Sequence, residues 1–178
     1  ALICAVMTTG CDSNSSEVLS SVFASSSETA QAEEVALPEI VSSPAADTNT
    51  ELSSGEHTEA FGSKDIDYTA AYIVDGKNAV IDGGTYSADT NSQNVFLVVN
   101  GGTLTIKNAV ITKILSDDSD SESEDGCNFY GTNSAVAAVG EGSKIIMENC
   151  SIYTSCEGAN AVFSTNGANI NAENLTII

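Results

Sequence analysis

The chain has no arginine and no tryptophan among its 178 residues, and a single histidine. Each shortage excludes something. Without Arg, the bidentate clamp for carboxylates and phosphates is missing. Five Lys against 25 acidic residues leave a net charge of −20. Nucleic acid is therefore not an expected partner, because binding it requires neutralising phosphates. An anionic membrane surface also repels such a chain, while the acidity favours solubility. Without Trp, no broad aromatic platform stands out. The lone histidine, His57, lies in an acidic stretch far from the densest apolar patterning, so imidazole chemistry has little to work with there.

What is abundant is repetition. VDGKNAVIDGGTY (74–86), VNGGTLTIKNAVI (99–111), GEGSKIIMENCSI (140–152) and TNGANINAENLTI (165–177) share one pattern. Aligned on Gly76, Gly101, Gly142 and Gly167, they step by 25, 41 and 25 residues, the middle step containing a 16-residue insertion. Apolar positions fall into columns: Ala79, Leu104, Ile145 and Ile170; then Ile81, Ile106, Met147 and Ala172; then Tyr86, Ile111, Ile152 and Ile177. They alternate with Thr105, Lys107, Glu148, Asn171 and Glu173, the period of a strand with one face inward and one in water. A second strand precedes each glycine, in AAYIV, VFLVV, AVAAV and AVFST. Each unit thus holds two or three short strands.

A unit this short cannot bury a core alone and must stack on its neighbours. Equivalent strands then lie parallel, about 4.8 Å apart. The expected fold is all-β: a right-handed parallel β-helix of about 25-residue rungs, over residues 65–178. Strands are expected near 70–74, 79–82, 95–99, 103–107, 135–139, 144–148, 161–165 and 169–173. The expected core is Val74, Ile81, Leu97, Leu104, Ile106, Ile111, Val139, Ile145, Met147, Ile152, Val162, Ile170 and Ile177. The chain stops mid-strand on apolar residues, so a further rung is expected beyond it. Asn108, Asn149 and Asn174 share a column with Gly83. They are read as an amide ladder at a strand-to-strand bend, against the plainer reading that Asn is common in turns.

Residues 12–63 carry ten acids and no base. Rich in Ser, Thr, Ala and Glu without sustained period, the stretch 12–64 reads as a disordered linker. ALICAVMTTGC (1–11) resembles the end of a bacterial lipoprotein signal peptide, in which small residues precede a Cys that receives diacylglycerol. That resemblance implies a lipid anchor at Cys11, loss of Cys4 with the leader, and an extracytoplasmic, surface-exposed location. Thr8 departs from the usual Leu, and a basic start is missing, so further residues are expected upstream. The alternatives are an ordinary signal peptide or an apolar start without a targeting role. The stretch is too short to span a bilayer.

Of the remaining cysteines, Cys150 falls in a small core column. Cys127 and Cys156 lie in equivalent turns of adjacent rungs, either as a disulfide or as two loop thiols. The insertion contains DDSDSESEDG (117–126). Its Asp118, Asp120, Glu122 and Glu124 offer hard oxygen ligands for weak Ca²⁺ association. The spacing lacks the glycine and terminal Glu of a calcium loop, and a solvated acidic loop is the plainer reading. No cofactor and no defined metal site are expected.

CNFYGTNSAVAAVGEGSKI (127–145) and GANAVFSTNGANI (158–170) resemble a group of surface β-helix proteins of clostridia and related gut bacteria, within the pectin-lyase-like superfamily. The resemblance covers about residues 68–178. It implies a right-handed parallel β-helix on the cell surface but no particular reaction, because that superfamily includes lyases, hydrolases, adhesins and binding proteins. Pectate-type lyases use a basic residue beside carboxylates and Ca²⁺, and the hydrolases use two or three converging carboxylates. Here Asp82 stands alone on its rung. Glu148 and Glu173 share a column, close enough to raise each other's pKa, and are the best catalytic candidates; the alternative is an ordinary exposed strand face. The expected role is non-catalytic presentation of a surface for polysaccharide or a surface protein partner. The alternative is the N-terminal part of a polysaccharide lyase or hydrolase.

Overall fold

The computed structural model describes residues 49–115, 126–156 and 158–178. Cys4, the lipidation position Cys11, and the acidic Asp118, Asp120, Glu122 and Glu124 lie outside the described residues. The described residues are mostly strand, with almost no helix.

The most regular sheet comes from the most regular part of the repeat. β3 (Asn78–Asp82), β6 (Thr103–Lys107), β9 (Lys144–Glu148) and β12 (Asn169–Glu173) pair side by side, all parallel. Their register joins Ile81 to Ile106, Ile106 to Met147 and Met147 to Ala172. The sequence columns are therefore physical columns. Leu104, Ile106, Ile145 and Met147 are buried, while Thr103, Thr105, Lys107, Ile146 and Glu148 stand on the other side, half-exposed.

Each of these strands ends at a bend in the left-handed region, made by one residue after β6, β9 and β12 and by two, Gly83 and Gly84, after β3. Gly83 has φ of 80°, and Asn108, Asn149 and Asn174 have φ of 52°, 55° and 54°. Only Gly, and to a lesser extent Asn and Asp, adopts this conformation without a large steric cost. The Gly/Asn column is thus a backbone requirement before it is anything else. We predict that Asn149→Gly leaves stability nearly unchanged, whereas Asn149→Ala costs about 1–2 kcal/mol in urea denaturation. Equal midpoints for the two variants would show that the bend does not need a left-handed residue.

Beyond the bend, β4 (Thr85–Ala88), β7 (Val110–Lys113), β10 (Ser151–Thr154) and β13 (Thr176–Ile177) make a second parallel sheet. The alternation had placed apolar residues here without assigning strands. Tyr86, Ile111, Ile152 and Ile177 align across it. The third sheet contains β2 (Lys64–Asp75), β5 (Gln93–Val99), β8 (Val136–Val139) and β11 (Val162–Thr165), again parallel. The chain visits the third, first and second sheets in turn and then returns to the third. The long step lies between β7 and β8, where a single π-type helical turn, Gly126–Tyr130, precedes β8.

Val95–Val99 and Val136–Val139 are buried at every position. Alternation fails there because both faces of the sheet are covered. Phe96, Val98, Val136 and Ala138 face the main core. Leu97, Val99, Ala137 and Val139 face outward, into a second apolar cluster with Ile66, Tyr68 and Ala70. The cover is a hairpin. β1 (Gly55–Phe61) pairs antiparallel with β2, from Gly55 opposite Ala70 to Phe61 opposite Lys64. Gly62, with φ of 66°, occupies the first position of its two-residue turn, as in a type II′ hairpin. Tyr68 Oη donates to the Tyr130 carbonyl at 2.7 Å, and Phe61 packs edge-on against Tyr130 with ring centroids 4.9 Å apart.

Several expectations are corrected here. Of the linker expected over 12–64, residues 49–64 are instead structured. Thr50 N donates to the Val80 carbonyl, Asn49 bonds both backbone groups of Asp82, and Ile73 N donates to the Ser53 carbonyl. These bonds occupy the free edges of β3 and β2, which would otherwise be open to pairing with another chain. Composition hid this because the segment gains its order from backbone pairing rather than from its own apolar content. Leu97 and Val139 are buried, but in the second cluster. Val162 and Ile170 are only partly buried. Ile177 is 55% exposed. It lies on β13, an edge strand, paired on one side only.

Candidate functional site

The outward face of the β3–β6–β9–β12 sheet carries side chains in rows set by strand register. One row runs Asn78, Thr103, Lys144, Asn169; the next Val80, Thr105, Ile146, Asn171; the last Asp82, Lys107, Glu148, Glu173. Parallel pairing spaces neighbours in a row by about 4.8 Å. Inward-facing Leu104, Ile106, Ile145 and Met147 hold the backbone beneath it, so the positions of the outer groups are set by the core.

In the last row, Lys107 Nζ lies 2.8 Å from Glu148 Oε2, with both side chains exposed by more than two-fifths. A hydrogen bond to Glu148 and its charge push the Lys107 pKa up, with a smaller contribution from Asp82. Glu173 follows Glu148 in register. The two acids expected to neighbour each other do so along the strand stack. However, Glu148 is engaged by an ammonium on its other side. A row of acid, base, acid, acid stays net negative, with Glu148 held in an ion pair rather than standing beside Glu173 as one of two unpartnered carboxylates.

At the adjoining bend, Asn174 Nδ2 donates to Asn149 Oδ1 at 3.1 Å. Asn108 Nδ2 donates to Asp82 Oδ1 at 2.7 Å, because the first repeat has Gly83 where an amide would stand. Among the described residues, amide-to-amide bonding in this column thus joins Asn149 to Asn174. No group of three or more His, Cys, Asp or Glu side chains among the described residues is placed to hold a metal ion.

The cysteines separate. Cys150 is inside the core, and burial pushes its thiol pKa up. Cys127 is buried and Cys156 half-buried, at the opposite end of the second sheet from the Asn column. His57 is in β1, where its Nε2 lies 2.8 Å from Glu59 Oε2. Glu59 Oε1 accepts a hydrogen bond from Asn166 Nδ2, beyond the end of β11. That contact ties the hairpin to the last repeat and was missed because the segment reads as linker. The Gly62–Ser63 pair was the available signal, since Gly-Ser between two short runs marks a hairpin turn.

Lys113 was also missed. It is fully buried at the end of β7, with Nζ donating to the Thr90 carbonyl. Its signal is its position two residues after the inward-facing Ile111.

No protein-family model, curated protein or solved structure matches the chain.

Proposed function

We propose that the three parallel sheets form a right-handed parallel β-helix, that Cys11 carries a lipid anchor, and that the protein is exposed on the cell surface. In this reading the outward face of β3, β6, β9 and β12 binds polysaccharide without turning it over. The carrying observation is that face: Thr103, Thr105, Asn169 and Asn171 give hydroxyl and amide groups in a flat, strand-spaced array. Such groups both donate and accept, matching the hydroxyls of a sugar polymer. Half-exposed Ile146 and exposed Val80 add apolar contact for sugar ring faces. Beyond the Lys107–Glu148 pair, Asp82 and Glu173 leave this row acidic, which repels an anionic polymer and favours a neutral one.

Non-catalysis is supported by the engagement of Glu148 with Lys107 and by the place of the only histidine against Glu59 on the hairpin. The test is a glycan array with the full chain, followed by a turnover assay on every glycan bound. Binding to neutral polysaccharides without cleavage supports the reading. Cleavage lost in Glu148→Gln or Glu173→Gln establishes an enzyme. A silent array, with capture by a purified surface protein, makes the chain an adhesin instead. Mass spectrometry of the membrane fraction decides the anchor: diacylglycerol on Cys11 supports it, and unmodified Cys11 removes it.

A further inference from the structure

Far from the polar face, the far ends of β7 and β10 bring together three groups that the binding role does not use. Lys113 is fully buried, and its ammonium finds one hydrogen-bond acceptor among the described residues, the Thr90 carbonyl. An ammonium has three N–H donors. Among the described residues no carboxylate lies within ion-pair distance of it; the ion pairs there are His57–Glu59 and Lys107–Glu148. A buried cation with so little compensation is costly.

Cys156 lies against the backbone of Lys113, and Cys127 packs beside the nearby Gly158. Ser155 N donates to the Lys113 carbonyl at 3.1 Å, and the same carbonyl lies 3.8 Å from Cys156 Sγ. Asn133 Nδ2 donates to Cys156 Sγ at 3.9 Å. Cys127 packs against the same turn: a Cβ added at Gly158 would lie 3.0 Å from Cys127 Sγ, and Asn160 Nδ2 donates to the Cys127 carbonyl at 3.0 Å. Ala159 N donates to the Cys156 carbonyl at 3.1 Å. Burial lowers the Lys113 pKa, whereas negative charge on Cys156, Asp89 and Cys127 raises it. The coupling is mutual: a thiolate here steadies the ammonium, and the ammonium favours the thiolate.

We propose that Cys156 and Cys127 form a thiol–disulfide exchange site with Lys113 as its buried positive charge, and that small-molecule disulfides are its substrates. Cys156 is the more exposed of the two residues and attacks first. Its thiolate bonds to one sulfur of the small disulfide, the S–S bond breaks, and the other half leaves as a thiolate that takes a proton from water. Cys127 then loses its proton to water and attacks Cys156 Sγ, expelling the second half. Two protein thiols are oxidised to one disulfide, and one small disulfide is reduced to two thiols. Cys150, enclosed in the core at the other end of the sheet, takes no part.

The test uses the full chain and oxidised glutathione, read by peptide mass spectrometry under non-reducing conditions. The expected product is a Cys127–Cys156 cross-link with Cys150 unmodified. In Cys127→Ser, a glutathione mixed disulfide should accumulate on Cys156. Absence of both the cross-link and the mixed disulfide overturns the proposal, as does equal labelling of Cys150. The role of Lys113 is read from the pH profile of Cys156 alkylation by iodoacetamide in Cys127→Ser. A midpoint below the ordinary thiol value of about 8.5 supports it, and one at or above that value removes it. Lys113→Met should slow alkylation at neutral pH about tenfold, one unit of thiol pKa, with Lys113→Arg retaining the rate. An unchanged rate in a folded Lys113→Met protein removes Lys113 from the site; if that variant does not fold, the pH profile decides.

Discussion

Tyr68→Ala is expected to lower the unfolding free energy by about 3–5 kcal/mol, the range for removing a fully buried large side chain. Tyr68 is completely enclosed between the hairpin and the outer face of β5 and β8. Its ring fills the centre of the second cluster, and its hydroxyl satisfies the Tyr130 carbonyl beside the insertion. Removing it leaves a cavity and an unpaired acceptor together. Tyr68→Phe removes only the hydrogen bond and should cost about 1 kcal/mol. Burial first, then the charges of Glu59 and Tyr130, push the Tyr68 pKa well above the ordinary tyrosine value. A group whose pKa is raised on folding contributes stability that is complete below its unfolded pKa and is lost as pH climbs above it. Stability should therefore fall above about pH 10. In Tyr68→Phe that fall should be shallower. Urea midpoints between pH 8 and 11 check both effects, and an unchanged slope in Tyr68→Phe would refute the assignment.

Ile106→Ala should cost about 2–5 kcal/mol. Ile106 lies in the middle of the column from Ile81 through Met147 to Ala172, covered by strands on both sides. A parallel stack cannot close around a missing side chain without shifting the register of its neighbours, so little relaxation is available. Val80→Ala, on the same sheet but 44% exposed and outward, is the control and should change stability by less than about 1 kcal/mol. Similar losses for the two variants in urea denaturation would mean that the faces of this sheet are assigned wrongly.

The parts of the fold that were legible are those where one physical rule acts alone. In TLTIK one face is wet and one is dry, so period two appears directly in the sequence, and in KIIME the outward Ile146 alone interrupts it. The Gly/Asn column was legible too, although its primary cause is the left-handed bend rather than amide bonding. VFLVV already departs from alternation, and its uniform apolarity is the mark of a strand buried on both faces. What covers the outer face was not legible, because β1 is short of apolar residues and its partners Tyr130, Gly140 and Asn166 are distant in sequence.

The candidate site divides in the same way. The row containing Lys107, Glu148 and Glu173 follows from register, which the repeat length supplies. The pairing of Glu148 with Lys107 depends on side-chain geometry that no spacing encodes. Lys113 contradicts the inward apolar pattern of β7. Such local conflicts with the pattern tend to mark positions retained for something other than packing.

The central claim is that the polar face of β3, β6, β9 and β12 is the polysaccharide-binding surface. Hydrogen–deuterium exchange of the full chain, with and without a polysaccharide bound on the array, tests it most directly. The account predicts added protection in 103–107, 144–148 and 169–173, with little change in 55–69. Protection confined to the hairpin, or to the second sheet, would contradict it.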